Sequence, residues 1–452
     1  MSSVYPTPQS QVAGPSRPLL AVASPQRVIT WREGRAVTVN QFLGDVHALA
    51  ARLPAAQAAV NLCEDRYAFL VAFAALLARG QTNLLPPSRA ARAIDETLAA
   101  HSDSYTLGDA DLDPPPPGYL RFTMDAETVF AGPATLIAGT ALAAIGYTSG
   151  STGVPRANPK RWDKLAISTE HNDALLRALA GGDYHVVATV PPQHMYGLEF
   201  SVLLPLFGRA SVCASKPFFA ADIAASLQQL PEPRILVTTP VHLRALLDSG
   251  QALPRISGIV SATAPLSRDL ALDAEARYGA PLQEVFGSTE TCVIAHRRTA
   301  HEDAWMPYPG VTLHPQPDGT RIEAPQLAQP VVLADIVELL ADGRYRLCGR
   351  NTDLLEIAGK RASLGDLTHK LLAVPGVRDG VMFQMDDTDA MGVRRIAALV
   401  VAPDLDTSAI LDALRRDIDP VFLPRPLKRV NALPRSETGK LPRAALLAAL
   451  AG

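Results

Sequence analysis

Cysteine is scarce in this chain: Cys63, Cys213, Cys292 and Cys348 lie far apart among 452 residues, with no C-x-x-C spacing. Such a set offers neither a zinc framework nor a disulfide framework, and it points to reduced thiols in a cytoplasmic protein. An excess of one charge is also missing. Lys and Arg number 42 against 45 Asp and Glu, a formal net charge of −3, so the totals give no basic surface for nucleic acid. No apolar run is long. The longest, Ala68 to Ala78 between Arg66 and Arg79, is too short to span a bilayer and reads as a buried helix. The N-terminus has no basic n-region followed by an apolar core; residues 1–25, rich in Ser, Pro and Gln, read as a flexible tail rather than a signal peptide. What remains is 48% hydrophobic and 19% charged, a soluble globular composition in a length that favours two or three domains.

The most informative stretch runs from Ile145 to Arg156. Two hydroxyl-glycine pairs, Ser149-Gly150 and Thr152-Gly153, follow a short apolar run and Tyr147-Thr148, with Ser151 between them and Pro155-Arg156 closing. Glycines let backbone N–H groups turn inward and hydroxyls add donors, so the loop suits a polyphosphate. It lacks the Gly-Lys-Ser/Thr ending of a P-loop. Hydroxyl-glycine loops also form plain turns.

Short β-branched runs, Val186 to Val190, Ile235 to Thr239, Ile256 to Val260 and Leu282 to Phe286, alternate with helical stretches. This alternation predicts a largely parallel sheet covered by helices, with ligands gathering beyond the carboxyl ends of the strands. Three of the turns there carry candidates: Pro191 to Gly197 with His194 and Tyr196; Ser261-Ala262-Thr263-Ala264-Pro265; and Phe286-Gly287-Ser288-Thr289-Glu290. Each has a bland alternative. A lone histidine is often structural, and a core Phe followed by an N-capped helix would account for the last turn. Asp335 and Arg350 read equally as surface charges.

Taken in order, these stretches resemble the adenylate-forming (ANL) superfamily of acyl-CoA synthetases, aryl-CoA ligases, peptide-synthetase adenylation domains and luciferases. The first loop is similar to its Tyr-Thr-Ser-Gly-Ser/Thr-Thr-Gly-x-Pro-Lys signature, with Arg156 in place of Lys. Phe286 to Glu290 resembles Tyr-Gly-x-Thr-Glu, and Ser261 to Leu266 resembles Ser-Gly-Gly-Ala-Pro-Leu with Ala262 and Thr263 for the glycines. Leu333-Ala334-Asp335 stands for Thr-Gly-Asp, Thr352 for the hinge Asp and Glu356 for a Lys. Leu433 to Arg443 is close to Leu-Pro-x-Thr-x-x-Gly-Lys-Ile-x-Arg, ending on Lys440.

The resemblance covers about Val28 to Leu446. It implies an α/β fold: a large N-terminal multi-sheet adenylate-forming domain, 26–350, and a small mobile α+β domain, 351–452. It implies that ATP and Mg²⁺ are used, with Glu290 as the metal ligand and Lys440, Glu290, Thr148 and Thr289 catalytic. ATP or AMP would meet Thr148, Ser149, Gly150, Ser151, Thr152, Gly153, Ala262, Thr263, Ala264, Phe286, Gly287, Ser288, Thr289, Asp335 and Arg350. The acid pocket would draw on His194, Tyr196, Gly197, Phe200, Ser261, Val285 and Gly287, the hinge on Thr352, and the thiol tunnel on Gly359. A small, aromatic carboxylic acid is the expected substrate, because Ala262 and Thr263 narrow the space. CoA or a phosphopantetheinylated acyl carrier protein is the expected acceptor, with no nucleic-acid partner and no membrane span. A non-catalytic nucleotide-binding relative and a luciferase-like oxidase of an acyl-adenylate are the alternatives.

Overall fold

The computed structural model describes residues 15–124, 130, 132–148, 156–317, 319–350, 354–357, 360–388, 394–436 and 441–451. The chain falls into two compact units. The first is Met1–Ala262 with Leu270–Ala300 and Pro325–Ala328; the second is Thr263–Asp269, His301–Ala324 and Gln329–Gly452. The second unit therefore reaches back beyond the expected boundary at 350 and takes in several short strands.

In the first unit, Thr38 opens the helix Val39–Arg52 with a reciprocal cap: Gln41 N donates to Thr38 Oγ1 and Thr38 N donates to Gln41 Oε1, satisfying two otherwise orphaned donors. Asp65 caps the helix Arg66–Ala78 through Ala68 N. That helix is the apolar run expected to be buried. It packs into a core with Phe42, Leu198 and Leu203, and an all-round apolar surface is stable only in such a place.

Two sheets frame this unit. One has the strand order Arg156–Arg161, Leu142–Thr148, Thr82–Leu85, Ala58–Asn61, Ser104–Gly108, Tyr119–Arg121. The other runs Cys292–Arg297, Leu282–Ser288, Gly258–Ser261, Arg234–Thr238, His185–Ala188, Ser211–Cys213, Val28–Arg32, Arg35–Thr38. From Leu282–Ser288 to Val28–Arg32 every neighbouring pair is parallel, and the edge pairs are antiparallel. The four β-branched runs are the four central strands; the first three are buried along most of their length as strands inside a parallel sheet require, while Leu282–Ser288 opens toward its antiparallel neighbour.

In the second unit Asp379–Thr388 and Arg394–Val401 pair antiparallel, with Leu427–Arg429 parallel to the latter. The helices Leu364–Leu372 and Thr407–Asp417 contribute Leu367, Leu371, Ile410 and Leu414 to a core with Met382, Ile396 and Val400. No helix among the described residues is long and apolar enough to cross a membrane.

Candidate active site

The strand Leu142–Thr148 and its antiparallel partner Arg156–Arg161 put Thr148 opposite Arg156. The two strands hold the ends of the glycine-rich loop; Ser149, Gly150, Ser151, Thr152 and Gly153 themselves lie outside the described residues. Two positions earlier, Gly146 makes room for a neighbour. A Cβ there would lie 2.8 Å from Thr289 Cγ2, closer than real Cβ contacts come, and in ordinary contact with Met195 Sδ at 3.7 Å.

Four separate stretches therefore share one cleft, lined by Pro86, Gly146, Tyr147, Gln193, His194, Met195 and Thr289. Each contributes from the carboxyl end of a strand, as expected for parallel sheets.

The second signature forms a hairpin. Leu282–Ser288 turns into the antiparallel strand Cys292–Arg297, with a register shift between Phe286 and Gly287, so no helix follows it. A bulge of this kind re-aims the residues beyond it. Thr289 and Glu290 stand at the tip, both half-buried, with Phe286 half-buried and Gly287 exposed. Ser288 N donates to Thr291 Oγ1, and Thr291 Oγ1 donates to Cys292 O. Val285 is buried on the same strand.

The expected wall of His194, Tyr196 and Phe200 is divided. His194 lines the cleft at the start of the helix Met195–Leu198. Tyr196 and Phe200 turn inward and pack edge to face, ring centroids 5.2 Å apart. The Tyr196 hydroxyl, donating, lies 2.9 Å from Val260 O and 3.1 Å from Thr238 O. It ties together the ends of two strands, and burial pushes the phenol well above its ordinary pKa. Gly197 packs so closely on the Pro191 carbonyl that a Cβ would overlap it. Ser261 and Ala262 are buried at the end of the strand Gly258–Ser261, and among the described residues Ser261 Oγ meets no hydrogen-bond partner. Thr263, where the sequence replaces a glycine, adopts φ +81°, a costly left-handed conformation for a β-branched residue. Ala264 follows it, half-buried.

Asp335 and Arg350 belong to the second unit. They are register partners on the antiparallel strands Asp335–Leu339 and Tyr345–Arg350, so two candidates 15 positions apart in sequence are neighbours in space. Thr352, Gly359 and Lys440 lie outside the described residues.

Two buried cations were not singled out from sequence. Arg66 Nη2 donates to Ala188 O at 2.8 Å and Val190 O at 2.9 Å, and Nη1 donates to Ser201 Oγ. Burial pushes its pKa down to about 10, which leaves it charged at neutral pH. It fixes the strand end from which the His194 loop departs. Lys160 Nζ donates to Glu290 O at 2.8 Å, connecting the strand after the glycine-rich loop to the second signature. Nothing local in the sequence marked either residue, because their partners are backbone carbonyls far along the chain.

Among the described residues no group of three or more His, Cys, Asp or Glu is poised to hold a metal. A single carboxylate at Glu290 fits Mg²⁺, which characteristically takes one or two protein carboxylates plus substrate phosphates and waters.

A family model described as AMP-binding enzyme matches residues 21–323. The 4-coumarate–CoA ligase of Rhodobacter capsulatus is 30% identical over 308 residues, spanning 66% of this chain and 74% of the relative. The 3-hydroxybenzoate–CoA/4-hydroxybenzoate–CoA ligase of Thauera aromatica is 26% identical over 342 residues, 65% of this chain and 64% of its own. Among solved structures, o-succinylbenzoate CoA synthetase from Bacillus subtilis bound to its acyl-adenylate superposes with TM-score 0.76 at 17% identity, over 95% of this chain and 98% of that one. An anthranilate CoA ligase in complex with anthranoyl-AMP gives TM-score 0.74 at 18% identity, over 94% and 95%. At such identities the structural likeness carries the fold, while the family model carries membership. The chain belongs to the AMP-binding enzyme family, the adenylate-forming superfamily that its loops resemble.

Proposed function

We propose that the chain is an ATP-dependent, AMP-forming acid–thiol ligase acting on a small aromatic carboxylic acid of hydroxybenzoate or cinnamate type. The observation that carries this reading is the shared cleft of the Gly146 strand, the His194 loop and Thr289. The named activities of the relatives, on 4-coumarate and hydroxybenzoates, support the choice of acid. So does Thr263, which puts a side chain at a turn where the superfamily has glycine.

In the first half-reaction a carboxylate oxygen bonds to the α-phosphorus of ATP. The α–β phosphoanhydride bond breaks and pyrophosphate leaves with its electron pair. Attack of one anion on another needs alignment and charge neutralisation more than acid–base chemistry. Thr148 and Thr289 supply hydroxyl donors at the mouth of the glycine-rich loop, and Lys440 supplies a mobile positive charge. Glu290 would hold Mg²⁺, which when bound would neutralise phosphate charge.

In the second half-reaction a thiol bonds to the acyl carbon. The bond to AMP breaks, AMP leaves with the electron pair, and the thiol proton passes to solvent. The thiol is that of CoA or of the phosphopantetheine on a carrier protein. Between the two steps the small domain turns about Thr352, withdrawing Lys440 and presenting the Gly359 segment, a two-state hinge. Asp335 and Arg350, as strand partners, suit the two ribose hydroxyls.

Acid-dependent exchange of pyrophosphate into ATP, assayed over aryl and aliphatic acids and followed by trapping with CoA or a loaded carrier protein, tests the reading. Exchange with aryl acids and thioester formation are the expected results. Binding of ATP without exchange would leave a non-catalytic nucleotide-binding protein, and O₂ consumption without thioester would leave an oxidase.

A further inference from the structure

We propose that Lys160 and Glu199 are positioning residues that hold the Thr289–Glu290 turn at its tip and at the strand that leaves it; the proposal rests on the adenylation reading above. Lys160 is 7% exposed, on the strand Arg156–Arg161 opposite Ala144. Its ammonium donates to the carbonyl of Glu290, 130 positions away. Glu199 is 1% exposed. Its Oε2 accepts from Ser168 Oγ at 2.7 Å, Asn172 Nδ2 at 3.1 Å and the backbone N–H of Val293 at 3.2 Å. Glu290 O lies at the tip of the turn and Val293 N on the strand that leaves it. One is held by a buried ammonium and the other by a buried carboxyl group.

The segment between them needs holding. Cys292 adopts φ +59°, and a non-glycine residue persists there only where its surroundings over-determine it. Within the turn, Thr289 packs against the space left by Gly146, so a displaced turn would strike the strand that leads into the glycine-rich loop. The Lys160 charge also bears on Glu199. Burial disfavours the ionised form of Glu199, and the neighbouring Lys160 charge favours it. Removing one partner leaves an uncompensated buried charge, and removing both does not.

Lys160→Met, Glu199→Gln and the double variant test this. The readouts are exchange kcat and KM for MgATP, thioester formation from a supplied acyl-adenylate, and the rise in Tm that Mg²⁺ adds to ATP alone. A turn misplaced by about 1 Å should lower exchange kcat about 10²-fold in Lys160→Met. The Mg²⁺-dependent rise in Tm should disappear, while the supplied adenylate is still converted near the wild-type rate. The double variant should recover the Tm of the unliganded protein without recovering exchange, and it carries the test if Lys160→Met fails to fold.

Exchange that returns together with Tm in the double variant would make the pair merely structural and overturn the proposal. So would wild-type exchange in Lys160→Met, or equal loss of both half-reactions in a folded variant. Wild-type protein without any exchange overturns the adenylation reading itself, a result distinct from these.

Discussion

The methyl group of Thr289 lies 2.8 Å from the point that a Cβ on Gly146 would occupy. Two residues from different sheets thus meet in a fit that a single methyl would break, where the strand entering the glycine-rich loop faces the second signature. Gly146 presents backbone at this point, so an added methyl must displace the Thr289 side chain.

Gly146→Ala should therefore move Thr289 rather than be absorbed. The expected outcome is a drop of about 10²-fold in exchange kcat, with little change in far-UV circular dichroism. Activity at the wild-type level would show that the contact has slack.

Much of the fold was legible in the sequence because it depends on local pattern. Ile235 to Thr239 and its three companions read as buried strands, since β-branched runs bounded by turns have few other homes. The helix Arg66–Ala78 was legible for the same reason. What followed Phe286 was left open between a signature turn and an N-capped helix, and the bulge at Phe286/Gly287 makes it a hairpin. Lys160 and Arg66 were illegible as site residues. A cation's sequence neighbourhood does not reveal which distant carbonyl it will meet, and here those carbonyls belong to Glu290, Ala188 and Val190. Tyr196 was legible as an aromatic of the right loop but not as an inward-facing one.

Arg66→Met should destabilise the protein without touching substrate. It strips the donors from Ala188 O, Val190 O and Ser201 Oγ in a buried place, a loss of about 3 kcal/mol for hydrogen bonds to a charged group. A lower urea midpoint checks this, and an unchanged midpoint would contradict it.

Glu199 gives a pH signature. Burial raises its pKa above the ordinary 4.5, against the pull of Ser168, Val293 N, Asn172 and Lys160. Between that ordinary value and the raised folded one, the folded state binds more protons than the unfolded state, so this residue's contribution to stability falls as pH rises. Glu199→Gln removes the dependence. Unfolding free energies measured from pH 4 to pH 7 should show the variant gaining on the wild type as pH rises; parallel curves would contradict the raised pKa.

The proposed hinge makes a separable prediction. Lys440→Ala should reduce adenylation about 10²–10³-fold, the usual loss for one charged donor at a developing oxyanion. It should still convert a supplied acyl-adenylate to thioester. Thr352→Pro should do the reverse, keeping pyrophosphate exchange and blocking thioester formation. Equal loss of both half-reactions in either variant would reject the division of roles.

Pyrophosphate exchange by the purified wild-type chain, with and without a hydroxybenzoate or cinnamate, tests adenylation itself most directly. Label should enter ATP only when the acid and Mg²⁺ are both present. Exchange that ignores the acid, or none with any carboxylate across a broad panel, would contradict acid adenylation at the cleft beside Gly146 and Thr289.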